Sequence, residues 1–385
     1  MYLMVLYGIL VLISYFIVNK SNENSKTQKY LVLFVITILV FRFSLGSDTD
    51  VYMIFFERVS DPIKDSFIYV GQRNIGFNML LYYTKALIYD YRFFVFIFNV
   101  IVISLCFYVI YKHSQNFVLS LMLFVGSGIL EIYYASALRQ MLAMAIFFYA
   151  FFQFLPRKKY KLYYLFALLA CLFHETALIT LFIPVVMILQ DKIEKHEKRI
   201  LVILVLMAGL FMISFTPFLV YIGKNFSSYS TINHIVAYFY GTTFSIMGVG
   251  LRVSIFGIIY LLYNASEISR KNKWLQTQVY VCFFSMLFYL AFSNFSVFSR
   301  ISDFIDIISL ITFANLLKNV EDKNSRLVFL TAIVAVNFIT LYADIDFKLD
   351  HITGIENAKF SDYTYMSIFS NDAYEYILDH YPEIN

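Results

Sequence analysis

The feature that most constrains the fold of this chain is a series of long apolar runs that recurs almost from end to end. The first run, YLMVLYGILVLISYFIV, covers residues 2–18, close to the roughly 20 apolar residues that a helix needs to cross a bilayer. Charged residues make up 15% of the chain and hydrophobic residues 60%, whereas soluble domains carry about 25% charged residues. The bilayer must therefore act as the solvent for much of this surface. The sequence predicts an all-α, polytopic integral membrane protein of the cytoplasmic membrane.

Twelve apolar runs are long enough to span a membrane when their flanking residues snorkel. They are residues 2–18, 30–46, 93–111, 117–132, 139–155, 160–174, 176–190, 200–220, 246–263, 275–293, 301–317 and 327–343. The sixth and seventh runs form either one long helix or two short helices joined at His174-Glu175. The first run has no basic segment before it and no small-residue cleavage signature after it, so we expect a retained span rather than a signal peptide.

The basic residues predict the orientation, because short loops rich in Lys and Arg stay in the cytoplasm. With the amino terminus outside, twelve spans put most of the 30 Lys and Arg residues in cytoplasmic segments, including RKKYK at residues 157–161. A thirteenth span at residues 76–90 would turn these segments outward. We therefore expect residues 76–90 to form a helix outside the membrane or in its interface.

This topology predicts one membrane domain over residues 1–343 and an acidic, outward-facing tail over residues 344–385, with larger outer loops at residues 47–92 and 221–245. The net charge of +4 comes from basic residues spread over short loops, so we expect no nucleic-acid partner. The three cysteines lie in separate apolar runs, which argues against a disulfide framework or a zinc site. We expect no metal and no cofactor.

Charged residues near the outer ends of the predicted spans are the strongest functional candidates, because charge in or near hydrocarbon is costly and usually faces a cavity or a partner. They are Arg42, Asp48, Asp50, Arg139, His174, Glu175, Arg252, Arg300 and Asp303. Each has a simpler explanation. An arginine at a helix end can snorkel to headgroups, the aspartates before a helix can be caps, and Arg300 can pair with Asp303 three residues later. A lone histidine is usually a hydrogen-bonded core residue, and HETAL lacks the second histidine of a zincin site.

Four arginines at one membrane depth favour recognition of a phosphorylated lipid. Guanidinium groups bind phosphate oxygens bidentately and keep their charge. If a diphosphate is the leaving group, the same arginines stabilise the charge that develops on it. His174, or a carboxylate such as Asp48 or Glu175, would deprotonate the attacking hydroxyl. Outward tyrosines such as Tyr52, Tyr133 and Tyr134 suit stacking on sugar rings, although an interfacial tyrosine belt explains them equally well.

Several of these residues stand in an order that resembles the EpsG/Wzy-type family of bacterial polysaccharide polymerases. The motifs are GSDTDVY at residues 46–52, with Asp48, Asp50 and Tyr52; ALRQMLA at 137–143, with Arg139 and Gln140; the basic turn RKK at 157–159; and FHETA at 173–177, with His174. Arg300 matches a later arginine of that family near an outer helix end. Two departures are Glu175, where the family more often has an uncharged residue or lysine, and the aspartate doublet, which leaves open which member is the counterpart.

The resemblance implies a metal-independent, GT-C-like enzyme of the bacterial cytoplasmic membrane, acting at its outer face on O-antigen, capsule or exopolysaccharide. The growing glycan on undecaprenyl diphosphate would be transferred to the non-reducing end of another lipid-linked repeat unit. The implied partners are the undecaprenyl-diphosphate-linked oligosaccharide, membrane lipid and a chain-length regulator.

Three other functions stay open on the sequence alone. A different lipid-phosphosugar-dependent glycosyltransferase or a ligase would use the same arginines with another acceptor. A flippase for the lipid-linked oligosaccharide should show repeated halves and charges near the bilayer midplane, which this sequence does not display. A membrane O-acyltransferase would need a histidine but not four arginines.

Overall fold

The structure is a computed structural model, and it describes residues 2–18, 26–43, 48–68, 74–132, 137–225, 246–293, 296–352 and 367–369. Most of these residues are helical, and the described ranges contain no β-strand. An isolated antiparallel bridge joins Arg42 to Ser367. The prediction of an all-α protein is confirmed.

The helices are numbered in chain order. They are α1 (Tyr2–Val18), α2 (Lys26–Val40), α3 (Thr49–Arg58), α4 (Pro62–Ile68), α5 (Ile75–Leu87), α6 (Tyr91–His113), α7 (Phe117–Gly126), α8 (Ile129–Ile132), α9 (Leu138–Phe154), α10 (Tyr160–Phe173), a 3-10 helix (Glu175–Phe182), α11 (Ile183–Lys195), α12 (Glu197–Asn225), α13 (Ile246–Ala265), α14 (Glu267–Lys271), α15 (Lys273–Phe292), α16 (Ser296–Asp306), α17 (Ser309–Lys318) and α18 (Lys323–Ile352).

Each predicted span coincides with helix over most of its length, but two of them are broken. Residues 117–132 divide into α7 and α8 around Gly128, whose φ of 76° lies in the left-handed region that favours glycine. Residues 301–317 divide into α16 and α17 after Asp306. Hydropathy does not reveal such breaks, because the residues on both sides stay apolar.

Within the described ranges, five helices are long and apolar enough to cross a membrane. They are Tyr91–His113, Glu175–Lys195, Ile246–Ala265, Lys273–Phe292 and Lys323–Ala343. Shorter apolar helices lie in the regions of α1, α2, α7, α9 and α10. The structure therefore supports a membrane protein, while the count of twelve spans and the GT-C-like architecture stay predictions.

The sixth and seventh predicted spans are two helices rather than one. α10 ends at Phe173, and His174 has an extended backbone with φ −157° and ψ 132°. The chain then reverses, so that the buried hydroxyl of Tyr163 donates to the carbonyl of Thr180 at 2.6 Å. The His174-Glu175 step is therefore the turn of a helical hairpin.

The predicted outer loop at residues 47–92 contains the three short helices α3, α4 and α5. Asp65 Oδ2 accepts hydrogen bonds from the backbone N–H groups of Ser60 and Asp61, at 2.9 and 3.0 Å, and so fixes the turn between α3 and α4. The helix expected at residues 76–90 is present as Ile75–Leu87. Its position relative to the membrane stays a prediction.

In the other two predicted outer segments, the flanking helices continue further than the sequence predicted. α12 continues to Asn225, and residues 226–245 lie outside the described part of the chain. α18 continues to Ile352, nine residues beyond the predicted end of the last span. Of the remaining tail, Ser367–Phe369 are described: the N–H of Ile368 donates to the carbonyl of Phe41 at 3.0 Å.

The most deeply buried helix is α9, in which nearly every side chain is enclosed. Phe147, Phe148, Phe151 and Phe152 are at most 1% exposed. Because lipid tails are as apolar as these rings, the packing of the rings against neighbouring helices, rather than exclusion from water, stabilises the bundle. α9 therefore holds its first turn, which carries Arg139, in a fixed position.

Candidate functional site

Arg139 lies in the first turn of α9, where the sequence predicted a phosphate-binding arginine. Its Nη1 donates to Asn74 Oδ1 at 3.0 Å, and its guanidinium lies 5.9 Å from the centroid of the Tyr52 ring. The N-cap residue Ala137 makes no side-chain capping bond. A helix N-terminus presents backbone N–H groups and a partial positive charge, and the adjacent guanidinium adds to its attraction for an anion.

Asn74 connects Arg139 to the His174-Glu175 turn, and the sequence did not reveal this residue. It is 6% exposed, and it stands at the N-cap of α5. Its Nδ2 donates to Glu175 Oε2 at 3.1 Å, while its Oδ1 accepts from Arg139. One amide thus joins a cation and an anion contributed by α9 and by the hairpin turn.

His174 is held in one tautomer by the residue two positions later. The backbone N–H of Thr176 donates to His174 Nδ1 at 3.3 Å, and the Thr176 hydroxyl lies 2.7 Å from the same nitrogen. Since a backbone N–H can only donate, Nδ1 is the acceptor, and the proton of the neutral ring resides on Nε2. In this state His174 offers an N–H donor at Nε2. Arg139 and Arg300 both interact electrostatically with this imidazole.

Asp48 and Tyr52 lie together at the start of α3. Asp48 is the N-cap residue, and its carbonyl accepts from the N–H of Tyr52 at 3.0 Å. Tyr52 is 2% exposed. Burial raises the pKa of the Tyr52 phenol, and the Asp48 carboxylate raises it further against the lowering effect of Arg139. The phenol is therefore protonated at neutral pH. The side chain of Asp50 lies outside the described part of the structure.

Gln140 and Arg300 join α9 to α16. The fully buried Gln140 donates from Nε2 to the carbonyl of Arg300 at 2.7 Å. This bond fixes the backbone of α16 against α9, and the Arg300 residue itself is exposed.

Five distant stretches of sequence therefore converge on one place. We call it the His174 site, and its members are Asp48, Tyr52, Asn74, Arg139, Gln140, His174, Glu175 and Arg300.

Arg252 belongs to a different group of side chains. Its guanidinium forms ion pairs with Asp303 and with Asp306 and lies 4.7 Å from the centroid of the Tyr289 ring. Asp303, which the sequence paired with Arg300 as one alternative, thus has a partner on another helix. These residues line a cavity of about 290 Å³ whose walls come from α7, α8, α13, α15, α16, α17 and α18. We call it the Arg252 cavity.

Arg42 follows the end of α2 and is 3% exposed. Its Nη1 reaches the carbonyl of Leu130 at 3.4 Å, and Asn99 Nδ2 donates to the carbonyls of Val40 and Arg42 at 3.0 and 2.8 Å. These contacts place Arg42 beside α8, which leads into α9. The roles that the sequence assigned to Arg42 and Arg252 as diphosphate ligands stay predictions.

Two further sequence-based candidates cannot be placed, because Tyr133 and Tyr134 lie outside the described residues. Among the residues that are described, no group of three or more His, Cys, Asp or Glu side chains is arranged to hold a metal ion.

A family model named EpsG family matches residues 29–365 of this chain. The chain belongs to the EpsG family. The comparisons with curated proteins and with solved structures gave no match. The family resemblance seen in the sequence is thus confirmed, and the matched region contains every member of the His174 site. Membership of the EpsG family indicates a membrane protein of the polysaccharide-polymerase type, with glycosyltransferase-like activity.

Proposed function

We propose that this EpsG-family protein polymerises undecaprenyl-diphosphate-linked oligosaccharide repeat units at the outer face of the bacterial cytoplasmic membrane, within a GT-C-like bundle of twelve spans. It transfers the growing glycan from its diphosphate carrier to the non-reducing end of another lipid-linked repeat unit. The observation that carries this proposal is the meeting of α9, α16 and the His174-Glu175 turn, where Asn74 links Arg139 to Glu175 and Gln140 donates to the carbonyl of Arg300.

Arg139 and Arg300 bind the diphosphate of the donor. Arg139 stands at a helix N-terminus, where the backbone N–H groups assist anion binding, and the exposed Arg300 supplies a second guanidinium. As the glycosidic bond breaks, negative charge accumulates on the leaving diphosphate, and two guanidinium groups placed there in advance stabilise it without reorganisation. Arg252 is left out of this clamp, because its two carboxylate partners offset its charge.

His174 acts as a hydrogen-bond donor to the substrate through Nε2–H, as its Nδ1 accepts from Thr176. A carboxylate, Asp48 or Glu175, accepts the proton of the attacking hydroxyl. The acceptor oxygen forms a bond to the anomeric carbon while the bond from that carbon to the diphosphate oxygen breaks. The bonding electrons leave with the undecaprenyl diphosphate, and the proton passes from the carboxylate to water.

The proposal is tested in the host cell by the length distribution of surface glycans on a gel. Deletion of the gene should stop chains at one repeat unit, whereas loss of a flippase should abolish the surface glycan. Arg139→Ala and His174→Ala should reproduce the deletion at unchanged protein levels. Arg139→Lys should remain defective, because lysine keeps the charge but loses the bidentate geometry.

Matched controls come from residues of the same type elsewhere. Arg270→Ala changes an exposed arginine in the last turn of α14, and His196→Ala changes an exposed histidine after α11. Both should give normal chain lengths. Normal chain lengths in Arg139→Ala and His174→Ala as well would overturn the site assignment, and a complete loss of glycan on deletion would favour the flippase.

A further inference from the structure

The Arg252 cavity is polar at one end and apolar at the other. In the predicted topology its outer end carries Arg252, Tyr289, Asp303 and Asn337, and its deeper wall carries residues such as Phe313. Ligand pockets commonly have a volume of about 300–1,000 Å³, so a cavity of about 290 Å³ suits a single small ring rather than a whole repeat unit.

Among the described residues, the polar end of the cavity carries more negative than positive charge. One guanidinium, that of Arg252, faces two carboxylates, those of Asp303 and Asp306. Asp306 also accepts a hydrogen bond from the Ser285 hydroxyl at 2.5 Å. This arrangement disfavours a phosphate, because a further anion would be repelled in a poorly solvated space. It favours a ligand that donates hydrogen bonds to carboxylate oxygens.

Asn337 supplies an independent sign that a ligand binds here. Its side chain is 3% exposed and lines the cavity, and its Nδ2 has no hydrogen-bond partner among the described residues. A buried amide without a partner costs free energy, so buried polar groups of this kind are normally satisfied. The ligand must therefore also accept a hydrogen bond, which a hydroxyl oxygen does and a metal cation cannot.

We propose that the Arg252 cavity binds the terminal sugar ring of the acceptor oligosaccharide, whose hydroxyls donate to Asp303 and Asp306 and accept from Asn337 Nδ2. This inference rests on the proposed polymerase function. It is supported by the position of Asp303, which follows Arg300 by three residues on α16. Three residues of helix correspond to a rise of about 4.5 Å, so an acceptor in the cavity adjoins a diphosphate held by Arg300.

The test is binding of the free repeat-unit oligosaccharide, released by mild acid from the lipid-linked pool of the host, to the full-length protein in lipid nanodiscs. Saturation-transfer difference NMR identifies the sugar ring in contact with the protein and gives an apparent Kd. For the wild-type protein, the strongest signals should come from the non-reducing terminal ring. Asn337→Leu and Asp303→Asn should each weaken binding about tenfold.

The variants separate binding from folding. Asn337→Leu replaces an amide whose Nδ2 lacks a partner in the described structure by an apolar group of similar size, which is expected to be neutral or stabilising, so a loss of binding would not reflect unfolding. Asn264→Leu is the matched control, because Asn264 is exposed on α13 and bonds only locally, to the carbonyl of Tyr260 at 2.8 Å. Its binding should equal that of the wild type.

Three outcomes would count against the cavity. The first is unchanged binding in both Asn337→Leu and Asp303→Asn. The second is that the strongest NMR signals come from the ring at the reducing end. The third is thermal stabilisation by sodium that Asp303→Asn abolishes while sugar binding persists. Arg139→Ala distinguishes this inference from the proposed function. It should lose polymerisation but keep oligosaccharide binding, since the diphosphate is absent from the probe.

Discussion

Replacing Asn74 with leucine removes the amide that joins Arg139 to Glu175 while nearly preserving the size of the side chain. Asn74 does not contact the reacting atoms in the proposed mechanism, so it is a positioning residue. Its Oδ1 accepts a hydrogen bond from Arg139 Nη1 at 3.0 Å, and its Nδ2 donates one to Glu175 Oε2 at 3.1 Å. These two hydrogen bonds hold the cation and the anion in fixed positions. Asn74→Leu should therefore slow polymerisation without unfolding the protein.

The magnitude follows from the charge of both partners. A hydrogen bond to a charged group contributes about 1.5–3 kcal/mol, so the two bonds of Asn74 have a gross value of about 3–6 kcal/mol. Once the amide is gone, Arg139 and Glu175 attract each other, and this attraction recovers part of the free energy of the two lost hydrogen bonds. A net loss of about 2–3 kcal/mol in the transition state corresponds to a rate about 30- to 150-fold lower.

The assay is elongation of lipid-linked repeat units in membrane vesicles, followed as initial rate against substrate concentration, with chain length in cells as a second readout. We expect kcat to fall more than KM changes, because a misplaced guanidinium weakens the transition state more than the bound substrate. Asn264→Leu, at an exposed position of α13, should behave as the wild type.

Asn74→Asp separates positioning from general damage. The new carboxylate still accepts from Arg139, but it faces the carboxylate of Glu175 at the distance of the former hydrogen bond, and two such groups share a proton more readily at acidic pH. The rate of Asn74→Asp, divided by the wild-type rate at the same pH, should therefore rise towards mildly acidic pH. The same ratio for Asn74→Leu should not change with pH. Wild-type rates in Asn74→Leu, or equal pH profiles for both variants, would refute this reasoning.

Three further predictions concern packing and pH. Gly76→Ala should shorten glycan chains and lower the free energy of unfolding by about 1–3 kcal/mol. The added Cβ would lie 3.0 Å from the backbone carbonyl oxygen of Leu172 in α10 and push α5 away from it. Gly209→Ala is the control, because an added Cβ there meets open space. Gly126→Ala should lower the thermal unfolding midpoint, because its Cβ would overlap the ring of Tyr7 and crowd the Cβ of Asn337. Since burial keeps the pKa of Tyr52 above its usual value, Tyr52→Phe should leave the alkaline limb of the rate profile up to about pH 9 unchanged.

The sequence predicted the residues that stand out against an apolar background. Arg139, His174 and Arg300 are costly where they lie unless they have a function, and this cost makes them visible without a structure. The helical character of the chain is visible for the same reason, since the apolar runs are long. The family resemblance added Gln140, and it placed Asp48 and Tyr52 in one motif.

Asn74 could not be found in this way. It is an ordinary polar residue in a predicted outer loop, and its role depends on how α5 packs against α9 and the hairpin turn. Asp306 was missed for a related reason. Its carboxylate is meaningful because Arg252, from another helix, lies beside it, and nothing in the local sequence of α16 indicates that contact.

The division of the arginines into two groups shows what hydropathy can and cannot specify. The position of a residue along a predicted span sets its predicted depth, because each helical residue rises about 1.5 Å, and that depth places all four arginines at one predicted outer face. The direction in which the side chain points around the helix axis depends on tertiary packing, so depth alone could not separate Arg252 from Arg139. That separation has a chemical consequence under the proposed function. In the Arg252 cavity two carboxylates face one guanidinium, and this arrangement repels the diphosphate of the donor. The donor therefore cannot bind in the acceptor site. Repulsion from the wrong site, together with attraction to the right one, fixes the direction of transfer.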